Sequence, residues 1–309
     1  MNPSEVVSSV AENRIGPSNG RTAMSKRFVG WCIYLAVLCA LFALPLLELA
    51  RFAAHSDVHS YVLLIPFVTA YLIYIRWNQL SDELSTAWGP AALLISMGAG
   101  AFFAGQHFAE LNVNDHMTLI ALSFLCFAIA GAFLFLGTKW ARSAMFPLFF
   151  LAFFIPLPEI VVDTLEEASK QASAEVANWL FLITGTPFLR SETMFQLPGI
   201  TITVAKECSG IRSSLVLIIT SLLAANMFLR TTWRRAALVA AVIPLGLLRN
   251  GLRILVISLL CVHIGPHMIN SVIHRRGGPF FFALSLLPLF AMLWGLRRQE
   301  IKKAAASVA

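Results

Sequence analysis

Eight apolar runs dominate the chain, at about 28–50, 61–77, 88–108, 117–137, 143–162, 209–229, 234–264 and 279–296. Each is about long enough to cross a bilayer, and short polar links separate most of them. In hydrocarbon a chain must satisfy its own backbone N–H and C=O groups, so such runs fold as helices. The expected fold is therefore an all-α polytopic membrane protein. With 58% hydrophobic and 13% charged residues, a soluble globular domain is excluded.

Basic residues give the orientation, because Lys and Arg gather on the cytoplasmic side. With the N-terminus inside, the inner segments hold Arg14, Arg21, Lys26, Arg27, Arg76, Lys139, Arg142, Arg230, Arg234, Arg235, Arg297, Arg298, Lys302 and Lys303. These are fourteen of 23 basic residues, so the net charge of +7 reads mainly as an orientation signal and not as nucleic-acid binding. Residues 1–27, polar and rich in Ser, Asn and Gly, are expected to be a disordered cytoplasmic tail. Residues 28–50 read as an uncleaved signal anchor. A single transmembrane domain over 28–296 and a basic cytoplasmic tail over 297–309 complete the organisation.

The seventh run contains Arg249, Asn250, Gly251 and Arg253. Taken as one crossing from Trp233, it carries Arg253 about 30 Å up the helix, to the outer boundary. A tilt or a break at Gly251 is expected. The one large insertion, 163–207, lies on the same outer side. Thr164 and Glu167 form a capping-box pattern that predicts a helix start. Leu165, Ala172, Val176, Trp179 and Ile183 fall on one stripe, which predicts an amphipathic helix. Ile200, Ile202 and Val204 alternate with Thr201, Thr203 and Ala205 after the turn Pro198-Gly199, so 191–205 predicts a β-hairpin.

That hairpin leads into Lys206-Glu207-Cys208-Ser209-Gly210-Ile211-Arg212-Ser213-Ser214, at the start of the sixth run. Neighbouring cations and a helix N-terminus both favour a thiolate, which makes Cys208 the candidate nucleophile. Cys32, Cys39, Cys126 and Cys261 lie in apolar runs and read as filler. A thiolate enzyme needs a proton carrier and an oxyanion stabiliser. On the outer side, Arg253 stands out as an arginine within an apolar helix and His274 as a histidine followed by Arg275, Arg276, Gly277 and Gly278; a snorkelling arginine and a structural histidine are the competing readings. Arg249 reads as an interfacial anchor instead. Asp57, between His55 and His59, is either a relay group or a solvated loop residue. His263 and His267 have ligand spacing, but Gly265-Pro266 interrupts the helix, and HExxH and CxxC patterns are lacking, so no metal and no cofactor is expected.

ECSGIRSS around Cys208, NGLRI from Asn250 to Ile254 and HRRGG from His274 to Gly278 resemble the CSG, NxxR and HxxxG motifs of exosortases and archaeosortases. HSDVHSYVLLIPF at 55–67 and Ile155-Pro156-Leu157-Pro158 are supporting matches. The resemblance implies a membrane cysteine protease or transpeptidase, with Cys208 as nucleophile, Arg253 as oxyanion stabiliser and His274 as general acid–base. It also implies substrate contacts around Ser209, Gly210, Arg212, Asn250 and Gly278. Expected partners are membrane-anchored exported proteins with a C-terminal sorting signal, a Pro-Glu-Pro type motif followed by a helix and a basic tail. The surrounding lipid bilayer and an amine acceptor on a surface polymer are the others. A multi-pass transporter, a polytopic glycan ligase or polymerase, and an accessory membrane protein with a decayed site remain the competing readings of the residues.

Overall fold

The computed structural model describes residues 18–56, 58–81, 83, 85–107, 111–204, 210–270 and 277–306. Its contacts divide into two compact units, one up to Glu159 and one from Ile160 onward.

The first unit runs through α1 (Ser18–Leu41), α2 (Ala43–His55), a 3-10 turn over Ser60–Leu64, α3 (Ile65–Ile75), α4 (Trp88–His107), α5 (Val113–Phe135), α6 (Gly137–Ser143) and α7 (Met145–Phe150). Helix α1 already begins at Ser18, inside the segment expected to be disordered. Helices α4 and α5 pair along a line of small residues. Buried Ala91, Gly98, Ala101 and Gly105 on α4 face Ser123 and Cys126 of α5 at Gly98 and Leu119 at Gly105. Small faces let helix backbones approach closely, which is the usual packing means inside a bilayer. Asn112 caps α5, its side-chain oxygen accepting from the Asp115 N–H at 2.7 Å.

The second unit holds α8 (Glu159–Ile183), β1 (Leu189–Ser191), β2 (Met194–Leu197), β3 (Ile200–Thr203), α9 (Ile211–Phe228), α10 (Thr232–Ala240), α11 (Val242–His263) and α12 (Gly278–Ala306). The three strands form one antiparallel sheet in the order β1-β2-β3, with Phe195 opposite both Arg190 and Ile202. The expected hairpin is therefore there as β2–β3, with an additional strand ahead of it. Arg190 pairs with Glu175 of α8 at 2.5 Å and ties that extra strand to the helix.

Helix α8 departs from expectation at its start. It opens at Glu159, and Thr164 sits in its interior, its hydroxyl donating back to the Ile160 carbonyl at 2.6 Å. A threonine bonded to the preceding turn cannot cap, so the capping-box reading fails. The buried face also differs from the expected stripe. Ser173, Ala174, Ala177 and Phe181 point inward, whereas Trp179 and Ile183 are exposed. Both faces are apolar, and the one with the smaller residues packs. Ala174, Ala177 and Phe181 form a core with Phe195, Leu197 and Val204 of the sheet segment and with Ile254 and Leu255 of α11.

Five stretches among the described residues are long and apolar enough to cross a membrane: α4, α5, α9, α10 together with α11, and α12. Counting two broken helix pairs as one span each raises this to seven, and Ser60–Ile75 forms a shorter apolar helix. The protein is multi-pass, with five to seven spans by length among the described residues beside the eight expected. Prolines account for three of the helix ends. Helices α1, α6 and α10 end at Leu41, Ser143 and Ala240, each four residues before Pro45, Pro147 or Pro244. A proline ring clashes with the carbonyl four residues earlier and removes one hydrogen bond. The seventh run is thus interrupted at Ala241 and continuous through Gly251, contrary to the break expected there.

Gly251 has a packing role instead. A Cβ built at this position would lie 2.5 Å from Val176 Cγ1 and 3.3 Å from the Ala177 amide nitrogen. Hydrogen there lets α8 and α11 touch. Gly251→Ala should cost about 1–3 kcal/mol through overpacking. Thermal unfolding in detergent should show the loss, and Val176→Ala in the same chain should recover most of it.

Candidate functional site

The candidate site lies where α9 begins. Gly210 stands at the N-cap of α9 with φ +71°, a left-handed conformation that any side chain would strain. Space forbids a side chain as well, since a Cβ would lie 3.0 Å from Arg249 Nη2 and 3.2 Å from Asn250 Oδ1. Sequence and fold agree on why a glycine is here.

The Gly210 carbonyl is held by three donors. It accepts the Ser214 N–H at 3.0 Å as the first helical bond, the Ser213 hydroxyl at 2.9 Å, and Arg249 Nη2 at 3.1 Å. The same Nη2 donates to Ser214 Oγ at 3.2 Å. Gly246, one turn earlier on α11, leaves room for that hydroxyl, since a Cβ there would lie 3.0 Å from it. Asn250 donates from Nδ2 to Ser173 Oγ of α8 at 2.9 Å, and both residues are buried. One stretch of α11 therefore grips α9 through Arg249 and α8 through Asn250 and Gly251.

Arg249 is only 6% exposed, which overturns its reading as an interfacial anchor. An interfacial arginine extends its head to water, whereas this one spends its donors on the α9 cap. Its Nη1 is buried and makes no hydrogen bond among the described residues.

The other expected residues fall as follows. Arg253 is half-buried on α11, one turn beyond Arg249, and Arg212 is exposed in the first turn of α9. Gly278 opens α12, with nothing within 4 Å of a Cβ built on it. Cys208, Ser209 and His274 lie outside the described residues, as do Arg275, Arg276 and Asp57. The structure thus brings together Gly210, Asn250 and Arg249, the last of which was not expected there. The available signal was the stripe Gly246, Arg249, Asn250, Arg253, at i, i+3, i+4 and i+7 on an otherwise apolar helix.

On either side of the undescribed segment 205–209 the chain is fixed. Val204 is buried in the core with α8 and α11, and its N–H donates to the Thr193 carbonyl at 3.0 Å. Gly210 is fixed by Arg249. The N-cap residue of α9 is a glycine and supplies no side-chain cap.

A family model described as transmembrane exosortase matches residues 52–291. The chain belongs to the transmembrane exosortase family. Membership supports a membrane protease or transpeptidase role for this multi-pass protein. Neither a curated protein nor a solved structure gives a significant match. The matched region contains the exosortase-like CSG, NxxR and HxxxG motifs, the first and second of which adjoin at Gly210 and Asn250. Among the described residues no group of three His, Cys, Asp or Glu side chains is placed to hold a metal ion.

His263 closes α11, with Ile264, Gly265 and Pro266 directly after it. His59, in the first unit, is buried, with the Ser56 hydroxyl 3.1 Å from its Nδ1. Burial lowers its imidazole below the usual histidine range, against an opposing pull from the Leu157 carbonyl.

Two outcomes follow from this geometry. Asn250→Ala should cost about 1–3 kcal/mol, because Ser173 is left buried beside a lost partner. A double-mutant cycle with Ser173→Ala, read by thermal unfolding, should show coupling of about 1 kcal/mol. Because the folded His59 resists protonation, its share of stability is full above pH about 6.5 and is lost as pH falls below that value. The melting temperature should therefore drop between pH 7.5 and pH 5.5, and drop less in a His59→Asn chain.

Proposed function

We propose that this exosortase-family protein is a cysteine protease or transpeptidase that cuts C-terminal sorting signals of exported proteins, with its site at the start of α9. The observation that carries the proposal is the junction of the CSG and NxxR motifs, where Gly210 packs against Arg249 and Asn250. Cys208 precedes Gly210 by two residues, so covalent reach alone keeps their Cα atoms within about 7 Å. Arg253 stands one turn along the same helix that holds Gly210.

In this reading the protein lies in the bacterial inner membrane with the site on the periplasmic side. The charge pattern of the links supports that orientation. The substrate carries a Pro-Glu-Pro type motif, one transmembrane helix and a basic tail. Its helix lies in the same bilayer, which fixes the height of the scissile bond and supplies proximity without a deep cleft.

The Cys208 thiolate attacks the scissile carbonyl and forms a tetrahedral oxyanion, stabilised by Arg253 and the N-terminal end of α9. His274, as the imidazolium, gives its proton to the departing amine, which leaves the acyl group on sulfur as a thioester. Water or an amine on a surface polymer then attacks the thioester. His274 takes the proton from that nucleophile, and the thiolate is released.

Co-expression with a tagged substrate tests the assignment. Cys208→Ala should leave the precursor uncut, and continued processing by this variant would end the proposal. Arg253→Lys should slow cutting at least ~10-fold, because a point charge does not reproduce a planar fork. Wild-type turnover in that variant would make Arg253 a structural anchor only.

A further inference from the structure

We infer that Arg249, which lies outside the CSG, NxxR and HxxxG motifs, is a positioning residue of the same site. This deepens the proposed function and rests on it. Three observations support the inference. The first is burial: a guanidinium only 6% exposed, within an apolar helix, is costly and rarely kept without a task. No salt bridge joins Arg249 to an acidic side chain among the described residues.

The second is what the side chain holds. Nη2 bridges the Gly210 carbonyl and the Ser214 hydroxyl, so one nitrogen fixes both the left-handed residue and the first turn after it. Cys208 enters α9 through that residue. A change in the Gly210 peptide plane swings the chain on its N-terminal side, where the nucleophile is attached. Misplacing a reacting group by about 1 Å can cost ~100-fold in rate.

The third is redundancy. Without Arg249, the Gly210 carbonyl still accepts from the Ser214 N–H and the Ser213 hydroxyl. Removing the arginine therefore leaves no orphaned acceptor there, and stability gives no reason for a buried cation at this position. Replacing buried charges by apolar groups of similar volume is often neutral or stabilising. Arg249 is thus kept for geometry, and the energetic cost of its burial goes into orientation.

The test separates position from stability. Arg249→Met keeps the length of the side chain and removes its charge and donors. With purified full-length protein and a detergent-solubilised substrate carrying the motif, helix and basic tail, its melting temperature should equal or exceed that of the wild type. Its kcat should fall about 100-fold, with KM within about twofold. Arg249→Lys should retain only part of the rate, since one ammonium group replaces the fork, and Ser214→Ala should show a smaller loss of kcat.

Wild-type kcat in Arg249→Met would overturn the inference. So would a loss of activity that only tracks a lowered melting temperature, which would make Arg249 a fold anchor. Cys208→Ala run alongside tells the two failures apart. Cutting that survives Cys208→Ala removes the proposed function itself. Cutting lost there but unchanged in Arg249→Met removes only the positioning role.

Discussion

The orientation of α9 against α11 turns on one oxygen. The Gly210 carbonyl accepts from its own helix, from Ser213 and from Arg249, and through it α9 is fixed to α11. The other end of the connecting segment is fixed to the same helix, because Val204 packs with Ile254 and Leu255. Residues 205–209 therefore join two points that are both held by α11.

The sheet and α8 serve that arrangement. Phe181, Phe188 and Phe195 meet with ring centroids 5.3–5.9 Å apart, so the insertion has its own aromatic core. Gly251 and Asn250 then bring α8 against α11 by close approach and by a buried hydrogen bond. Each residue of Arg249-Asn250-Gly251 has a different task within one turn of helix. The first holds α9, the second holds Ser173, and the third removes a side chain that would keep α8 away.

Hydropathy made the transmembrane runs legible, because length and lipid compatibility alone define them. Their interruptions were harder to read. Pro45, Pro147 and Pro244 were visible in the sequence, yet a proline within an apolar run specifies a break only when neighbouring packing does not absorb it. Pro288, inside an unbroken α12, shows the opposite outcome. The strand alternation at 200–204 was readable because Thr and Ile sort cleanly onto two faces. The inward face of α8 was not, because Ala174, Ala177 and Phe181 compete with an equally apolar stripe through Trp179 and Ile183. For the site, the glycine after the cysteine and the Asn250–Arg253 pair stood out by type and order. Arg249 was misjudged, because depth along a helix does not distinguish an arginine facing lipid from one facing the bundle. Only a polar stripe shared with Gly246, Asn250 and Arg253 carries that distinction.

The central claim is that chemistry takes place on the sulfur beside this junction. The most direct measurement is to stop the reaction of purified protein with its substrate by acid and map the covalent adducts by peptide mass spectrometry. The account predicts a substrate-derived acyl group on Cys208 that hydroxylamine releases as a hydroxamate, as expected for a thioester. Substrate cleavage under the same conditions with Cys208 unmodified, or with the acyl group on another residue, would contradict it.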